Sequence, residues 1–159
     1  MGYSIRKISD EDREWIRSVF INNWGGEFSI SKGNKFYADN LPGYIAEDSI
    51  SKVGLITYNI SDGDCEIVTL NSFAEAQGVG TSLIERVKQD AKEEGCKRIW
   101  LITTNDNTHA LRFYQKREFI IKAFYPNAME ESRKLKPGIP ILGDNDIPIR
   151  DEIELEYLF

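Results

Sequence analysis

The stretch CEIVTLNSFAEAQGVGTSL, at positions 65–83, is the part of the sequence that decides the fold. Its first six residues, CEIVTL, predict a strand, and the polar NSFAEA segment predicts a loop. QGVGTSL then places two glycines directly before a predicted helix. The first backbone N–H groups of a helix have no partner within it and, with the helix dipole, attract phosphate. Because Gly78 and Gly80 lack a Cβ, the backbone there can approach a ligand closely. We therefore expect a cofactor phosphate at residues 77–82.

Patterns of apolar residues on both sides of that stretch predict the remaining elements. Alternation predicts strands at 3–8, 44–47, 53–60, 97–103, 119–124 and 152–159. Helical spacing predicts helices at 11–24, 80–94 and 108–117, with short helices expected at 35–40 and 129–135. The apolar centre of KRIWLIT, at 97–103, is typical of a strand buried on both faces.

The connections between these elements decide the fold class. SDGD at 61–64 is a hairpin signal, so the strands that it joins are antiparallel. A helix connects the strand at 65–70 to the strand at 97–103, so that pair is parallel. The sequence therefore predicts an α+β fold, with a mixed central sheet of about seven strands and helices on both faces. We expect residues 1–159 to form a single domain.

Composition excludes several classes of function. The chain has 20 Lys and Arg against 26 Asp and Glu, a net charge of −6, so we expect no nucleic-acid partner and a surface that favours cationic substrates. No apolar run approaches membrane-spanning length and no signal core is present, so we expect a cytoplasmic protein with no membrane partner. Cys65 and Cys96 lack metal-ligand spacing, and we expect reduced thiols and no metal site.

Two motifs in this pattern resemble the GNAT superfamily of acetyl-CoA-dependent N-acetyltransferases. QGVGTSL is similar to the end of that family's cofactor signature, Arg/Gln-x-x-Gly-x-Gly/Ala, on the loop after the fourth strand. WLITTNDNTHALRFYQKREF, at 100–119, is similar to its second landmark, an Asn near the end of the fifth strand followed by a helix with a Leu/Phe-Tyr pair. The resemblance covers about residues 3–125 and the last strand. It implies acetyl-CoA as the co-substrate and direct transfer of the acetyl group to a primary amine.

The sequence departs from the family pattern at three places. Glu75 stands where the signature has Arg or Gln, and NSFAEA replaces the usual Val-x-Pro-x-x-Arg-Gly run. Glu118 replaces the common Gly before Phe119. The first two departures remove a cationic side chain from the expected phosphate site. They leave the backbone amides, which do most of the binding in this family.

Acetyl transfer to an amine needs a proton acceptor. An amine with an ordinary pKa of about 10.4 is almost entirely protonated at neutral pH. A carboxylate, a His or a water must therefore take its proton. The resemblance implies that Glu66 is this base, and alternation places it on the same face as Val68 and Leu70. The alternative is a solvated Glu at the end of a strand.

The resemblance also implies roles for two residues of the second motif. Tyr114 is expected to donate a proton to the departing CoA thiolate, and Asn107 is expected to contact the pantetheine arm. A core aromatic beside Phe113 and a plain helix cap are the respective alternatives. The residues expected to bind the cofactor are Leu70, Ser72, Gln77, Gly78, Val79, Gly80, Thr81, Ser82 and Asn107.

The acceptor is expected to be a small-molecule or peptide amine. By the resemblance, residues 22–40 and 125–150 flank its pocket. Four carboxylates are candidates to meet a cationic amine, with ordinary solvated charges as the alternative: Asp144, Asp146, Asp151 and Glu152. His109, the only histidine, is expected on the surface, and a homodimer is left open.

Two other classes of function fit the same motifs. One is a non-catalytic module with this fold that binds or senses acyl-CoA. The other is a nucleotide-phosphate site at residues 77–82, which predicts binding of ATP that CoA does not compete.

Overall fold

A computed structural model describes residues 2–73 and 78–159. Its strands are β1 (Ser4–Lys7), β2 (Phe28–Ser31), β3 (Asn34–Tyr37), β4 (Gly43–Glu47), β5 (Lys52–Ser61), β6 (Asp64–Ser72), β7 (Arg98–Thr104), β8 (Ile120–Tyr125) and β9 (Glu152–Leu158). Its helices are α1 (Arg13–Trp24), α2 (Val79–Glu93), α3 (Thr108–Gln115) and α4 (Met129–Leu135), with short 3-10 segments at Asp10–Asp12 and Asp144–Asp146. None of the helices in these two ranges is long and apolar enough to cross a membrane.

Seven of the strands form one sheet, in the order β1-β4-β5-β6-β7-β9-β8. The pair β6–β7 is parallel and the other neighbouring pairs are antiparallel. The hairpin signal at 61–64 and the helical crossover after β6 account for this mixture. The predicted fold class is therefore confirmed.

The sheet carries an apolar core on each face. On one face, α2 buries Leu83, Ile84, Val87 and Ala91 against the central strands, which is the stripe that the helical spacing predicts. On the other face, α1 buries Ile16, Val19 and Phe20 against β4 and β5. This packing holds both helices against the sheet, and the last turn of α1 borders a cavity.

The prediction of a short helix at 35–40 is wrong, because residues 34–37 form β3, which pairs with β2. Lys32 and Gly33 connect the two strands with φ angles of 48° and 80°. Two consecutive positive φ values define the tight turn that suits the right-handed twist of a hairpin. Phe28 and Tyr37 then pair across the strands with ring centroids 5.4 Å apart.

Strand β7 is buried on one face only, and not on both as its apolar run predicts. Ile99, Leu101 and Thr103 are buried, whereas Ile102 and Thr104 on the other face are half-buried. The half-buried side chains border a cavity that begins where β7 leaves β6.

The parallel pair β6–β7 is held together over three residues only, from Asp64–Arg98 to Glu66–Trp100. Beyond Glu66, β6 stays paired with β5 and β7 stays paired with β9, so the two strands part. An extra residue in β6 accompanies the parting: Thr57 pairs with Thr69 and Tyr58 with Ile67, which leaves Val68 as a bulge. The sheet is therefore open at its centre, at the carboxyl ends of β6 and β7.

Candidate active site

A cavity of about 480 Å³ occupies the opening between β6 and β7. Its wall comes from the end of α1, β2, both parted strands, α3, α4 and the segment before β9. The polar side chains on this wall are Asn22, Asn23, Ser29, Ser31, Glu66, Thr103, Thr104, Asn107, Tyr114, Ser132, Lys136 and Glu152. Both segments that were expected to flank the acceptor, 22–40 and 125–150, contribute to it.

Glu66 lies at the point where the strands part and is only 5% exposed. The Ser31 hydroxyl donates a hydrogen bond to its carboxylate. Burial raises the pKa of Glu66 to about 7, although the Ser31 hydrogen bond and the Lys32 charge act in the opposite direction. This location excludes the solvated strand-end alternative. A carboxyl with this pKa is partly ionised at neutral pH and can accept a proton.

The bulge at Val68 changes which side chains share a face with Glu66. Val68 packs with the α1 core, whereas Leu70 packs with the α2 core. The expectation that Glu66, Val68 and Leu70 share one face therefore holds for Val68 and fails for Leu70. An extra residue in a strand reverses the alternation beyond it.

Tyr114 lines the same cavity from α3 and is 7% exposed. Its ring packs edge-on against Phe119, with centroids 5.3 Å apart. Burial raises the pKa of the Tyr114 phenol well above its usual range, which keeps it protonated. In the described ranges no side chain or backbone group is hydrogen-bonded to this hydroxyl, so its donor is available to a molecule in the cavity.

Asn107 is both a helix cap and part of the cavity wall. Its side-chain oxygen accepts a hydrogen bond from the Ala110 N–H at 3.1 Å, at the first turn of α3. The same residue borders the cavity. The helix cap and the expected ligand contact are therefore compatible, because the cap fixes the orientation of the Asn107 amide beside the opening.

The predicted phosphate loop ends at the first turn of α2. Gly78 precedes the helix with a φ of +71°, while Val79 and Gly80 are buried in its first turn. A Cβ on Gly80 would stand 3.1 Å from Phe113 Cζ, so this glycine permits contact between α2 and α3. Gln77 lies outside the described residues.

The two hydroxyls of the first turn of α2 contact other parts of the protein. Thr81 accepts a hydrogen bond from Arg117 at 2.8 Å, and Ser82 shares one with the Tyr3 hydroxyl at 2.8 Å. Of the other expected cofactor contacts, Leu70 borders the cavity and Ser72 is the exposed last residue of β6.

Arg117 is a residue beside this turn that the sequence reasoning did not identify. Its Nε donates to Thr81 and its Nη1 donates to the Phe113 carbonyl at 2.9 Å. The guanidinium lies 3.6 Å from the Phe113 ring centroid. A fixed cation therefore stands next to the N-terminus of α2. Glu75, where the family signature has Arg or Gln, lies outside the described residues. Basic residues are common at helix C-termini, so the QKRE pattern at 115–118 gives no signal of this contact.

Only one of the four carboxylates proposed for the acceptor lies on the cavity wall. Glu152 is buried there, and burial raises its pKa although Lys32 opposes the shift. Asp144 and Asp146 are exposed, and Asp151 accepts a hydrogen bond from the Asn127 N–H at 2.7 Å. Across residues 2–73 and 78–159, no three carboxylate, thiol or imidazole side chains are grouped to hold a metal ion.

Glu154, next to the site, belongs to a network of charges that holds it ionised. Burial alone raises its pKa, but hydrogen bonds from Tyr125 and Arg98 and the charge of Lys32 outweigh burial, and the pKa is lowered. Arg98 lies 2.7 Å from Glu154 and 2.9 Å from Glu156. Glu154 is thereby committed to ion pairs, in contrast to Glu66 and Glu152.

Comparison with known sequences agrees with this architecture. The sequence model of the Acetyltransferase (GNAT) family matches residues 9–119. Uncharacterized protein YdhI of Bacillus subtilis (strain 168) is 46% identical over 143 residues, which cover 89% of this chain and 89% of that protein. The chain therefore belongs to the GNAT acetyltransferase family, as the two motifs predicted.

Two solved structures show the same fold. The IAA acetyltransferase from Bacillus cereus ATCC 14579 superposes with a TM-score of 0.79 at 20% identity, covering 99% of this chain and 100% of that one. A GNAT family acetyltransferase from Elizabethkingia anophelis, with acetyl-CoA bound, superposes with a TM-score of 0.70 at 20% identity, covering 99% of each.

Proposed function

We propose that this chain is an acetyl-CoA-dependent N-acetyltransferase that transfers an acetyl group directly to the primary amine of a small molecule or peptide. The observation that carries the proposal is that Glu66 and Tyr114 line one cavity at the point where β6 and β7 part. Family membership and the acetyl-CoA held by the Elizabethkingia neighbour support it. We also propose that residues 1–159 act as one acetyltransferase domain, since strands near both ends belong to one sheet.

The residues at the opening fit acetyl-CoA. The first turn of α2 presents backbone N–H groups without intrahelical partners, and the Arg117 cation stands beside them, so this turn would hold the pyrophosphate. Leu70 and Asn107, on the cavity wall, would contact the pantetheine arm. Acetyl-CoA supplies the activated acyl group as a thioester.

The side chains in the cavity supply the proton transfers. At pH 7 an ordinary amine is neutral in about one molecule in a few thousand, a deficit of roughly 4–5 kcal/mol. Glu66 accepts the proton that the ammonium loses before its neutral nitrogen attacks the acetyl carbon. Tyr114, kept protonated by burial, donates a hydrogen bond to the sulfur as the C–S bond breaks, and the thiolate takes up the second proton, which the nitrogen releases as the amide forms.

Thiol release measured over a panel of primary amines tests the proposal. We expect turnover with at least one amine, and Tyr114→Phe should lower kcat by about 100-fold while the Kd for CoA changes little. Tyr37→Phe, the same change at an exposed tyrosine, is the control.

Three results would count against this assignment. Tight CoA binding without turnover on any amine would favour a non-catalytic acyl-CoA sensor. Binding of ATP that CoA does not compete would favour a nucleotide site. An unchanged kcat in Tyr114→Phe would remove Tyr114 from the mechanism.

A further inference from the structure

Lys136 lies on the wall of the cavity that also holds Glu66 and Glu152. The residue follows α4, and its Nζ reaches across to the end of α1. There it donates hydrogen bonds to the carbonyl oxygens of Trp24 and, at 2.6 Å, of Phe28. The ammonium also lies 5.1 Å from the Phe28 ring centroid.

Lys136 differs from the other cations near the site in its partners. Lys32 pairs with Glu154, and Arg98 pairs with Glu154, Glu156 and Asp64. In the part of the chain that the structure describes, Lys136 has no carboxylate partner and only carbonyl acceptors. An ammonium has three N–H donors, so one is left after Trp24 and Phe28. Burial lowers the pKa of Lys136, which is the cost of a half-buried cation without a counter-ion.

Lys136 and Glu66 are anchored to the same strand. The Phe28 carbonyl accepts a hydrogen bond from Lys136 and the Ser31 hydroxyl donates one to Glu66, so the two anchors are three residues apart on β2. At about 3.3 Å per residue the anchors are about 10 Å apart along the strand. Lys136 and Glu66 both border the one cavity. The rest of the wall is largely apolar, with Ile21, Ile139 and Pro140 among its side chains.

We propose that the acceptor is a small amino-carboxylate, whose amine lies towards Glu66 and Glu152 and whose carboxylate is bound by Lys136. The proposal rests on the proposed acetyltransferase function and names the substrate class of the same cavity. A small amino acid carries an amine for Glu66 and Glu152 and a carboxylate for Lys136, whereas a polyamine would place a second cation beside Lys136. The competing interpretation is that Lys136 is purely structural and only holds the turn between α1 and β2 through its hydrogen bonds to Trp24 and Phe28.

Matched pairs of acceptors test this assignment in the full-length protein. We would measure thiol release with glycine and glycinamide, β-alanine and β-alaninamide, and L-methionine and L-methioninamide. Each pair keeps the amine and replaces the carboxylate with a neutral group. We expect kcat/KM at least tenfold higher for the acid than for the amide in one or more pairs.

Substitution of Lys136 separates ligand binding from a structural role. Lys136→Met keeps an unbranched apolar stem but removes the ammonium group. We expect this variant to raise KM for the preferred acid at least tenfold, with little change in kcat. The preference for the acid over the amide should then be abolished. Lys136→Arg should restore part of that preference. Lys134→Met removes an exposed, Glu131-paired ammonium two residues away and should leave both acids and amides unaffected.

Two results would overturn the amino-carboxylate proposal alone. In the first, the wild type turns over each amide as efficiently as the matching acid. In the second, Lys136→Met lowers kcat/KM equally for the acids and the amides. Failure of the proposed function has a different signature. In that case no amine, with or without a carboxylate, releases thiol, and both proposals fall.

Discussion

At the scale of single residues, the Glu66 carboxyl is balanced between opposing effects. Burial favours its neutral form, whereas the Ser31 hydroxyl and the Lys32 ammonium favour its charged form. The result is a pKa of about 7. A general base is most effective when its pKa lies near the working pH, because it is then both available and basic enough to take the proton. Glu66 meets that condition through its position at the parting of two strands.

Glu66→Gln should change both the rate and its dependence on pH. In the wild type, kcat/KM should rise with pH and level off above about 7, where Glu66 is ionised. The variant should lose roughly 100-fold to 10,000-fold in kcat/KM above pH 7 and less below it, because the wild-type base is itself protonated there. Thiol release measured from pH 5.5 to 9.5 checks this.

The acidic limb of that profile is the critical observation. If Glu66→Gln kept a limb centred near pH 7, another group would be the base. Glu85→Gln, which removes an exposed carboxylate, should retain the wild-type profile and serves as the control.

At the scale of elements, α2 and α3 contact each other at the proposed phosphate end of the site. Gly80 allows Phe113 to approach, and Phe113 carries the Arg117 guanidinium on its ring. Arg117 in turn donates to Thr81 in the first turn of α2. A substitution at any of these residues is therefore expected to disturb the contacts of the others.

Gly80→Ala should destabilise this contact, because its Cβ would stand 3.1 Å from the Phe113 ring. Overpacking of this kind costs about 1–3 kcal/mol in the free energy of unfolding. Phe113→Leu should recover part of that loss in the double variant, measured by urea unfolding. Gly78→Ala is the control, since among residues 2–73 and 78–159 nothing lies within 4 Å of its Cβ position and its φ of +71° opposes a side chain there, so Phe113→Leu should not help it. If Phe113→Leu restored no stability to Gly80→Ala, packing against Phe113 would not explain the glycine at this position. Close approach of the ligand would then be the explanation.

Arg117→Gln should weaken CoA binding by about 10-fold to 150-fold, since a charge-assisted hydrogen bond is worth about 1.5–3 kcal/mol, while the backbone amides remain. The wild-type affinity should also fall more steeply with salt than that of the variant. Calorimetric titration with CoA at two salt concentrations measures both effects. Lys92→Gln removes an equal charge from the last turn of α2 and should change neither. Equal salt dependence in wild type and Arg117→Gln would exclude a direct role for this cation.

Local signals account for which elements could be predicted from the sequence. Helix α2 shows a complete apolar stripe and β7 a continuous apolar run, so both could be located. The β2–β3 hairpin was missed because NKFY at 34–37 is too short to distinguish a strand from a helical turn by spacing. The Val68 bulge has no sequence signature, and it moves Leu70 to the other face.

At the scale of the whole molecule, the residues that sequence reasoning missed are those placed by distant contacts. Arg117 reaches Thr81 across 36 positions, and Lys136 reaches Trp24 across 112. The family resemblance carried by the two motifs implied Glu66, Asn107 and Tyr114 as candidates. Motif spacing reports on neighbours along one strand or helix, and it cannot report which cation the folded chain brings to a helix end or a cavity wall.

Burial of Glu66 also makes the stability of the whole chain depend on pH. Folding raises the pKa of Glu66 from 4.5 to about 7, so its contribution to stability is fully present below pH 4.5 and is lost as the pH rises through 7. Glu66→Gln lacks this loss, so its free energy of unfolding relative to the wild type should increase by about 2–3 kcal/mol between pH 5 and pH 8. Urea unfolding of both proteins at the two pH values measures the difference, with Glu85→Gln, a substitution of an exposed carboxylate, as the control. A difference that stays constant with pH would mean that Glu66 is not held in its neutral form by the fold, and its assignment as a base with a pKa near neutrality would fall with it.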